Sequence, residues 1–246
     1  MTLVRLLIVT LVCLSGTAVA MNTAENHDVL EYQGIARDLE NPERVLYTEY
    51  HRLQLNNGKP VSREVEYRAP DGRLLAKKSN RYGDNPATPE FVLEDARKAY
   101  RESARFEQNA LTLSLEAQNQ RAEKTFRDVP DNLIIDAGFD DFVRKHWDRL
   151  SNDKRVKFYF ASAVRQDLIE FRLEPQRSNE QEVVLSMRLS SRLLAWLLDP
   201  IELTYDRNTQ RLLRYRGLTN IQDDNGTTFK ADIEYRYSEK SHTDLL

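Results

Sequence analysis

Apolar and charged side chains alternate over long stretches of the second half of this chain. Residues 229–237 place aromatic and aliphatic side chains at the odd positions and charged side chains between them. Residues 169–174, 183–190 and 201–205 largely repeat this two-residue period. Because successive side chains of a β-strand point to opposite faces, the pattern predicts strands with one buried and one solvated face. Consecutive strands of this kind are typical of an antiparallel sheet that is polar on its outer surface.

Turn dipeptides separate the strand-like segments of the first half. Asn57-Gly58 and Asp71-Gly72 suit two-residue hairpin turns, in which both central residues need a positive φ. The two dipeptides flank one strand's length of sequence, so they predict an antiparallel meander across residues 44–82. The following segment allows two interpretations. Thr88 and Pro89 suit a helix start, whereas the apolar run at 91–93 suits a strand end, and the structure of 91–107 stays open.

One segment of the chain shows a full helical period, at residues 139–150. Its mainly apolar stripe consists of Phe139, Phe142, Val143, His146, Trp147 and Leu150. The concave face of a curled sheet needs a cover, and this stripe supplies one. The sequence therefore predicts a mainly β (α+β) fold. We expect a single curled antiparallel sheet, or half-barrel, of roughly 9–11 strands, with one or two helices covering the concave face.

The N-terminus has the features of a secretory signal peptide. Arg5 supplies the positive charge, residues 6–14 form a short apolar run, and Ala18-Val19-Ala20 is a cleavage signal of small residues. The apolar run is shorter than the ~20 residues of a spanning helix, which favours a cleaved signal over an uncleaved anchor. We therefore expect a periplasmic protein with a signal peptide at 1–20, a flexible tail at 21–28 and a single half-barrel-like domain at 29–246.

Sequence motifs for catalysis, metal binding and nucleotide binding are missing. The four histidines, His27, His51, His146 and His242, are far apart in sequence, and the only cysteine, Cys13, lies in the expected signal peptide. An acidic site could include Asp136, Asp140 and Asp141, but a role at the helix N-terminus is the simpler interpretation. The net charge of −3 provides no general attraction to nucleic acid. The sequence therefore predicts no enzymatic activity, no metal, no cofactor and no nucleic-acid partner.

The C-terminal third resembles a known family. Residues 199–206, 210–221 and 231–235, with the turn Asn225-Gly226 between them, form a strand–turn–strand–turn–strand ending. This ending resembles the close of the lipoprotein-carrier (LolA/LolB-like) half-barrels, and residues 134–142 resemble a stretch found in uncharacterised exported proteobacterial proteins. The resemblance implies a curled sheet plugged by helices, with an apolar interior that holds lipid acyl chains. The sequence has no lipobox, unlike the membrane-anchored acceptor of that family.

The leading functional hypothesis is a periplasmic carrier that binds an apolar ligand, either a lipid or the acyl chain of a lipoprotein. The candidate ligand-binding residues are Phe142, Trp147, Phe158, Phe160, Phe171, Trp196, Leu203, Tyr205, Ile233 and Tyr235. Trp196 belongs to the apolar run 193–198, which suits either a buried segment or the lip of a cavity.

Two alternatives stay open. A non-catalytic envelope interaction or assembly module would use its outer face to bind an envelope protein, through residues such as Arg68, Arg214, Arg236 and Tyr237. An envelope glycan hydrolase would need two carboxylates about 5–10 Å apart in an open cleft. None of the three hypotheses makes the chain an integral membrane protein, because charged residues interrupt every apolar run after the N-terminal one.

Overall fold

A computed structural model describes residues 27–118, 120–191 and 199–238. This part of the chain contains fifteen strands and two short helices. In chain order they are β1 (His27–Asp38), β2 (Val45–Asn56), β3 (Lys59–Arg68), β4 (Leu74–Arg81), β5 (Glu90–Asp95), β6 (Tyr100–Glu107), β7 (Ala110–Ala117), β8 (Gln120–Phe126), β9 (Leu133–Ile134), α1 (Gly138–Lys145), α2 (Trp147–Leu150), β10 (Val156–Ser162), β11 (Asp167–Pro175), β12 (Glu182–Leu189), β13 (Ile201–Asp206), β14 (Leu212–Gln222) and β15 (Thr228–Tyr237).

All fifteen strands belong to one curled sheet, in the order β8-β7-β6-β5-β4-β3-β2-β1-β15-β14-β13-β12-β11-β10-β9. Two antiparallel meanders, β1–β8 and β10–β15, are joined side by side where β1 pairs with β15, from Tyr32 opposite Tyr237 to Asp38 opposite Ala231. The short β9 runs parallel to β10. The edge strands β8 and β9 are not paired with each other, so the sheet is curled without being closed into a barrel. The predicted fold class, a mainly β curled sheet with one or two helices, is confirmed.

The structure corrects the details of several predicted elements. The sheet has fifteen strands rather than roughly 9–11. Of the two interpretations of residues 91–107, the strand is correct: they form β5 and β6, with Phe91 and Leu93 buried on the inner face while β5 hydrogen-bonds to β4 and β6. The polar segment Gln120–Phe126 contributes the edge strand β8. The first strand begins at His27, inside the segment expected to be a flexible tail.

The predicted helix at 139–150 is divided into two. The backbone leaves helical dihedrals at His146, with φ −106° and ψ 15°, between α1 and α2. The apolar stripe nevertheless continues across this break, because Phe142, Trp147 and Leu150 are all buried. They pack with Phe158 and with other inward-facing residues of β11–β13 in one hydrophobic cluster. Burying side chains of this size stabilises the fold by about 1.5–3 kcal/mol each.

Contacts outside the sheet ladder hold the first meander to the second and to the segment that leads into α1. At one end of the curl, Arg97 donates to Asp224 at 2.9 Å and to the carbonyl of Gln222 at 2.8 Å. At another place, the loop before β5 meets the start of α1, and the amide of Ile135 donates to the carbonyl of Ala87 at 3.0 Å. These contacts join segments that the strand pairing alone leaves apart.

The second of these contacts requires a glycine at position 138. A Cβ atom there would lie 2.2 Å from the carbonyl oxygen of Ala87, which is a backbone atom that no rotamer change can move. Gly138→Ala should therefore lower the free energy of unfolding by about 1–3 kcal/mol, measured by urea denaturation. Gly83→Ala is the matched control, because a Cβ at Gly83 meets nothing within 4 Å. Equal stability of the two variants would contradict this close packing.

Candidate functional site

A cavity of about 330 Å³ lies on the concave side of the sheet, where the two meanders face each other. Its volume falls within the range of small-molecule sites. Both meanders and the start of α1 contribute to its wall, so the site depends on the pairing of β1 with β15. The lining residues are Tyr32, Glu49, His51, Arg63, Tyr67, Lys78, Asp136, Ala137, Phe139, Asp140, Phe160, Phe171, Met187, Ile201, Leu203, Leu212, Tyr215, Leu218, Thr219, Asn220, Ile233, Tyr235 and Tyr237.

The C-terminal meander supplies most of the apolar wall of this cavity. Phe160 and Phe171 meet edge-to-face on neighbouring strands, with ring centroids 6.5 Å apart. Met187, Ile201 and Leu203 continue the wall across β12 and β13. This wall offers a ligand aliphatic and aromatic contacts, which favours an apolar group at this side of the cavity.

The N-terminal meander supplies a wall with buried polar groups. Nε2 of His51 lies 2.8 Å from Oε2 of Glu49, and the hydroxyl of Tyr235 donates to the same oxygen at 3.2 Å. The ring of Tyr32 stacks on the imidazole with centroids 4.3 Å apart. A Cβ at Gly34 would lie 2.7 Å from the Tyr235 ring and 3.1 Å from the Glu49 carboxylate, so glycine leaves the room that this cluster needs.

Two further ion pairs border the cavity next to this cluster. Arg63 donates to Oδ2 of Asp140 at 3.1 Å, and the hydroxyl of Tyr205 donates to Oδ1 of the same carboxylate at 3.2 Å. On β4, Lys78 lies 3.2 Å from Asp136. The carboxylates at the start of α1 therefore hold the helix to the sheet, which goes beyond the helix-terminal role expected from the sequence.

Burial is the largest influence on the pKa of His51. It lowers that pKa below the ordinary value, and the neighbouring Glu49 carboxylate only partly offsets the effect. The imidazole is therefore neutral at pH 7. A carboxylate can only accept hydrogen bonds, so Nε2 carries the proton and Nδ1 is a hydrogen-bond acceptor.

Ion pairing and burial shift the pKa values of the charged groups in opposite directions. Burial alone would raise the pKa of Asp140, but Arg63 and Arg144 hold it below its ordinary value. Burial would lower the pKa of Lys78, but Asp136 reverses the effect and raises it. Asp140 and Lys78 therefore remain charged at neutral pH, with a desolvation cost that the attraction of their ion-pair partners must offset.

The residues predicted from the sequence fall into three groups. Phe160, Phe171, Leu203, Ile233 and Tyr235 line the cavity. Phe142, Trp147, Phe158 and Tyr205 lie in the packed cluster beneath the helices, outside the cavity wall. Trp196 lies outside the described residues. Tyr237, expected on the outer face, instead lines the cavity, because it shares the inward register of Ile233 and Tyr235.

Sequence reasoning missed the polar wall, although the strand period contains a signal for it. In β2 every second position from Tyr47 to Leu55 is buried, so Glu49 and His51 occupy the apolar register of an alternating strand. Arg63 in β3 has the same inward register as Val65 and Tyr67. A polar residue at such a position is buried by its neighbours, and buried polar groups cluster at functional sites.

The described part of the chain contains neither a cluster of metal ligands nor a membrane-spanning helix. Within residues 27–118, 120–191 and 199–238, no three His, Cys, Asp or Glu side chains converge as metal ligands would. In the same ranges, neither helix has the length and apolar character needed to cross a bilayer.

The Arg63–Asp140 pair gives a test of the buried wall. Arg63→Met removes the cation that is bonded to the buried Asp140 carboxylate and leaves only Arg144 as a nearby cation, so the free energy of unfolding should fall by up to about 3–5 kcal/mol in urea denaturation. Arg81→Met is the matched control on the neighbouring strand, since Arg81 is 80% exposed in its ion pair with Glu90 and should change stability little. Similar losses in both variants would argue against a special role for the buried pair.

The lowered pKa of His51 predicts a pH dependence of stability. The unfolded chain binds a proton at this residue more readily than the folded chain does, so His51 adds stability above pH 6.5 that is lost as the pH falls toward its folded pKa. His51→Gln should therefore show a smaller drop in the free energy of unfolding between about pH 7.5 and pH 5.5 than the natural protein. His146→Gln leaves the contribution of His51 in place. Because burial also lowers the pKa of His146, this variant measures the part of the drop that His146 itself contributes. An unchanged drop in His51→Gln would contradict the assignment.

Comparisons with known proteins do not assign this chain to a family. No family model matches the sequence, and no curated protein matches it significantly, so the resemblance to the lipoprotein carriers stays an expectation. Among solved structures, the chain is similar to a beta-barrel-like protein of domain of unknown function DUF1849 from Brucella abortus. The match covers 87% of this chain and 98% of that one, at 9% identity and a TM-score of 0.49.

Proposed function

We propose that this protein binds an acyl chain in the cavity between its two meanders and carries out no chemical step. The observation that carries the proposal is the cavity itself, about 330 Å³ of space beside a wall of aliphatic and aromatic side chains. A protein stabilised only by its packing would fill this space, because interiors normally pack as densely as organic crystals. An acyl chain matches the apolar wall in chemistry, and its burial supplies about 0.8 kcal/mol per methylene group.

The contacts of the carboxylates that line the cavity favour ligand binding over glycan hydrolysis. Glu49, Asp136 and Asp140 all line the cavity, and each is engaged by a buried partner. A general acid or a nucleophile needs to reach the substrate, whereas these carboxylates hold side chains of their own wall in place. They therefore suit a structural role around a binding cavity.

The periplasmic location is part of the proposal. It depends on the signal-peptide features of residues 1–20, which lie outside the described residues. N-terminal sequencing of the protein from the periplasmic fraction checks it, and a chain that retains Met1 in the cytoplasm would contradict it.

A cavity-filling variant tests the binding proposal. Met187→Trp places a larger side chain on the apolar wall, and it should weaken the binding of decan-1-ol at least tenfold in isothermal titration calorimetry. Val164→Trp is the control, because Val164 is 51% exposed and is not part of the cavity wall. Thermal unfolding of both variants verifies that they are folded.

Native mass spectrometry of the gently purified protein provides a second measurement. We expect a bound mass that Met187→Trp loses and Val164→Trp retains. A clean apo mass together with no binding of decan-1-ol to the natural protein would rule out an acyl-chain carrier.

A further inference from the structure

The polar wall of the cavity contains two buried nitrogen atoms that no described residue satisfies. Nδ1 of His51 and Nε of Arg63 make no hydrogen bond within the described part of the chain. Their residues are only 8% and 6% exposed, and both line the cavity. A buried polar group without a partner costs about 1–3 kcal/mol, so a ligand that satisfies these atoms gains affinity. A bare hydrocarbon chain cannot satisfy them.

The two atoms need complementary partners. With Nε2 of His51 bonded to Glu49, Nδ1 presents a lone pair that accepts a hydrogen bond. Nε of Arg63 carries a proton and donates one. A hydroxyl group can donate to Nδ1, and an ester carbonyl or a second hydroxyl can accept from Nε. The polar wall thus suits a head group that contains both a donor and an acceptor.

The charge of the wall disfavours an anionic head group. The carboxylates of Glu49, Asp136 and Asp140 outnumber the cations of Arg63 and Lys78. Both cations are already paired, Arg63 with Asp140 at 3.1 Å and Lys78 with Asp136 at 3.2 Å. A ligand carboxylate or phosphate would lose its hydration and would face an excess of negative charge.

We propose that the ligand is an acyl chain on an uncharged head that carries hydroxyl and ester groups, as in a monoacylglycerol. The head lies against His51 and Arg63, and the chain lies along the apolar wall of Phe171, Met187 and Leu203. This inference rests on the proposed acyl-chain binding and specifies the chemistry at the other end of the ligand. The stacked ring of Tyr32 fixes the imidazole plane. Both nitrogens have almost no accessible surface, so the head group reaches them only where a neighbouring side chain moves aside.

Three probes with ten-carbon chains test the inference on the full-length protein in isothermal titration calorimetry at pH 7.5. They are 1-decanoylglycerol, decanoate and decylammonium, which differ in head-group charge. We expect the glyceride to bind at least tenfold more tightly than decanoate, which faces the excess negative charge of the wall. It should also bind more tightly than decylammonium, whose head has donors but no acceptor for Nε of Arg63. Equal binding of all three probes, or tightest binding of decanoate or decylammonium, overturns the inference while acyl-chain binding stands. No binding of any probe or of decan-1-ol overturns the inference together with the proposed function.

Variants of His51 locate the head group. His51→Phe keeps a ring against Tyr32 but removes the acceptor, so binding of 1-decanoylglycerol should weaken about three- to tenfold while binding of decan-1-ol changes less. His146→Phe is the control, because His146 is not part of the cavity wall. An equal loss for both ligands in His51→Phe overturns the placement of the head. If His51→Phe does not fold, the probe series on the natural protein still decides on head-group charge.

Discussion

The antiparallel pairing of β1 with β15 is the interaction on which the rest of the structure depends. It joins residues at opposite ends of the described chain, such as Tyr32 and Tyr237, and so merges two meanders into one sheet. Each meander is built from hairpins between neighbouring segments, which form locally. The β1–β15 ladder is the non-local step, and it brings the polar inner face of β2 and β3 to the same cavity as the apolar inner face of β10–β13.

The buried charged side chains explain why a cavity remains between these two inner faces. Arg63 and Lys78 need their carboxylate partners, and those partners come from the segment that begins α1. Replacing such pairs with well-packed apolar residues is often neutral or stabilising in other proteins, so stability alone gives little reason to keep them. Their position beside a cavity gives a physical reason, because a polar wall opposite an apolar one can orient a ligand that has two chemically different ends.

The sequence predicts the architecture well because the strand period is a local property. Alternation at residues 229–237 and the turn at Asn57-Gly58 each depend only on neighbouring residues, and both appear as predicted. The apolar spacing of residues 91–107 fits a helix as well as a strand, and only pairing with β4 decides between them. The break at His146 within the predicted helix is likewise invisible in the apolar stripe, which continues across it.

Only part of the cavity wall was predicted from the sequence, namely apolar residues at inward positions. Apolar residues at inward positions identify a candidate wall, but the sequence does not show whether they face space or one another, and Phe158 and Tyr205 prove to be packed. Glu49, His51 and Arg63 are less ambiguous, because a polar side chain in the inward register must be satisfied wherever the sheet curls. Polar residues that interrupt the apolar face of a strand therefore identify the polar end of such a cavity. Apolar residues at inward positions are a weaker guide to its apolar end, because they can face either the cavity or one another.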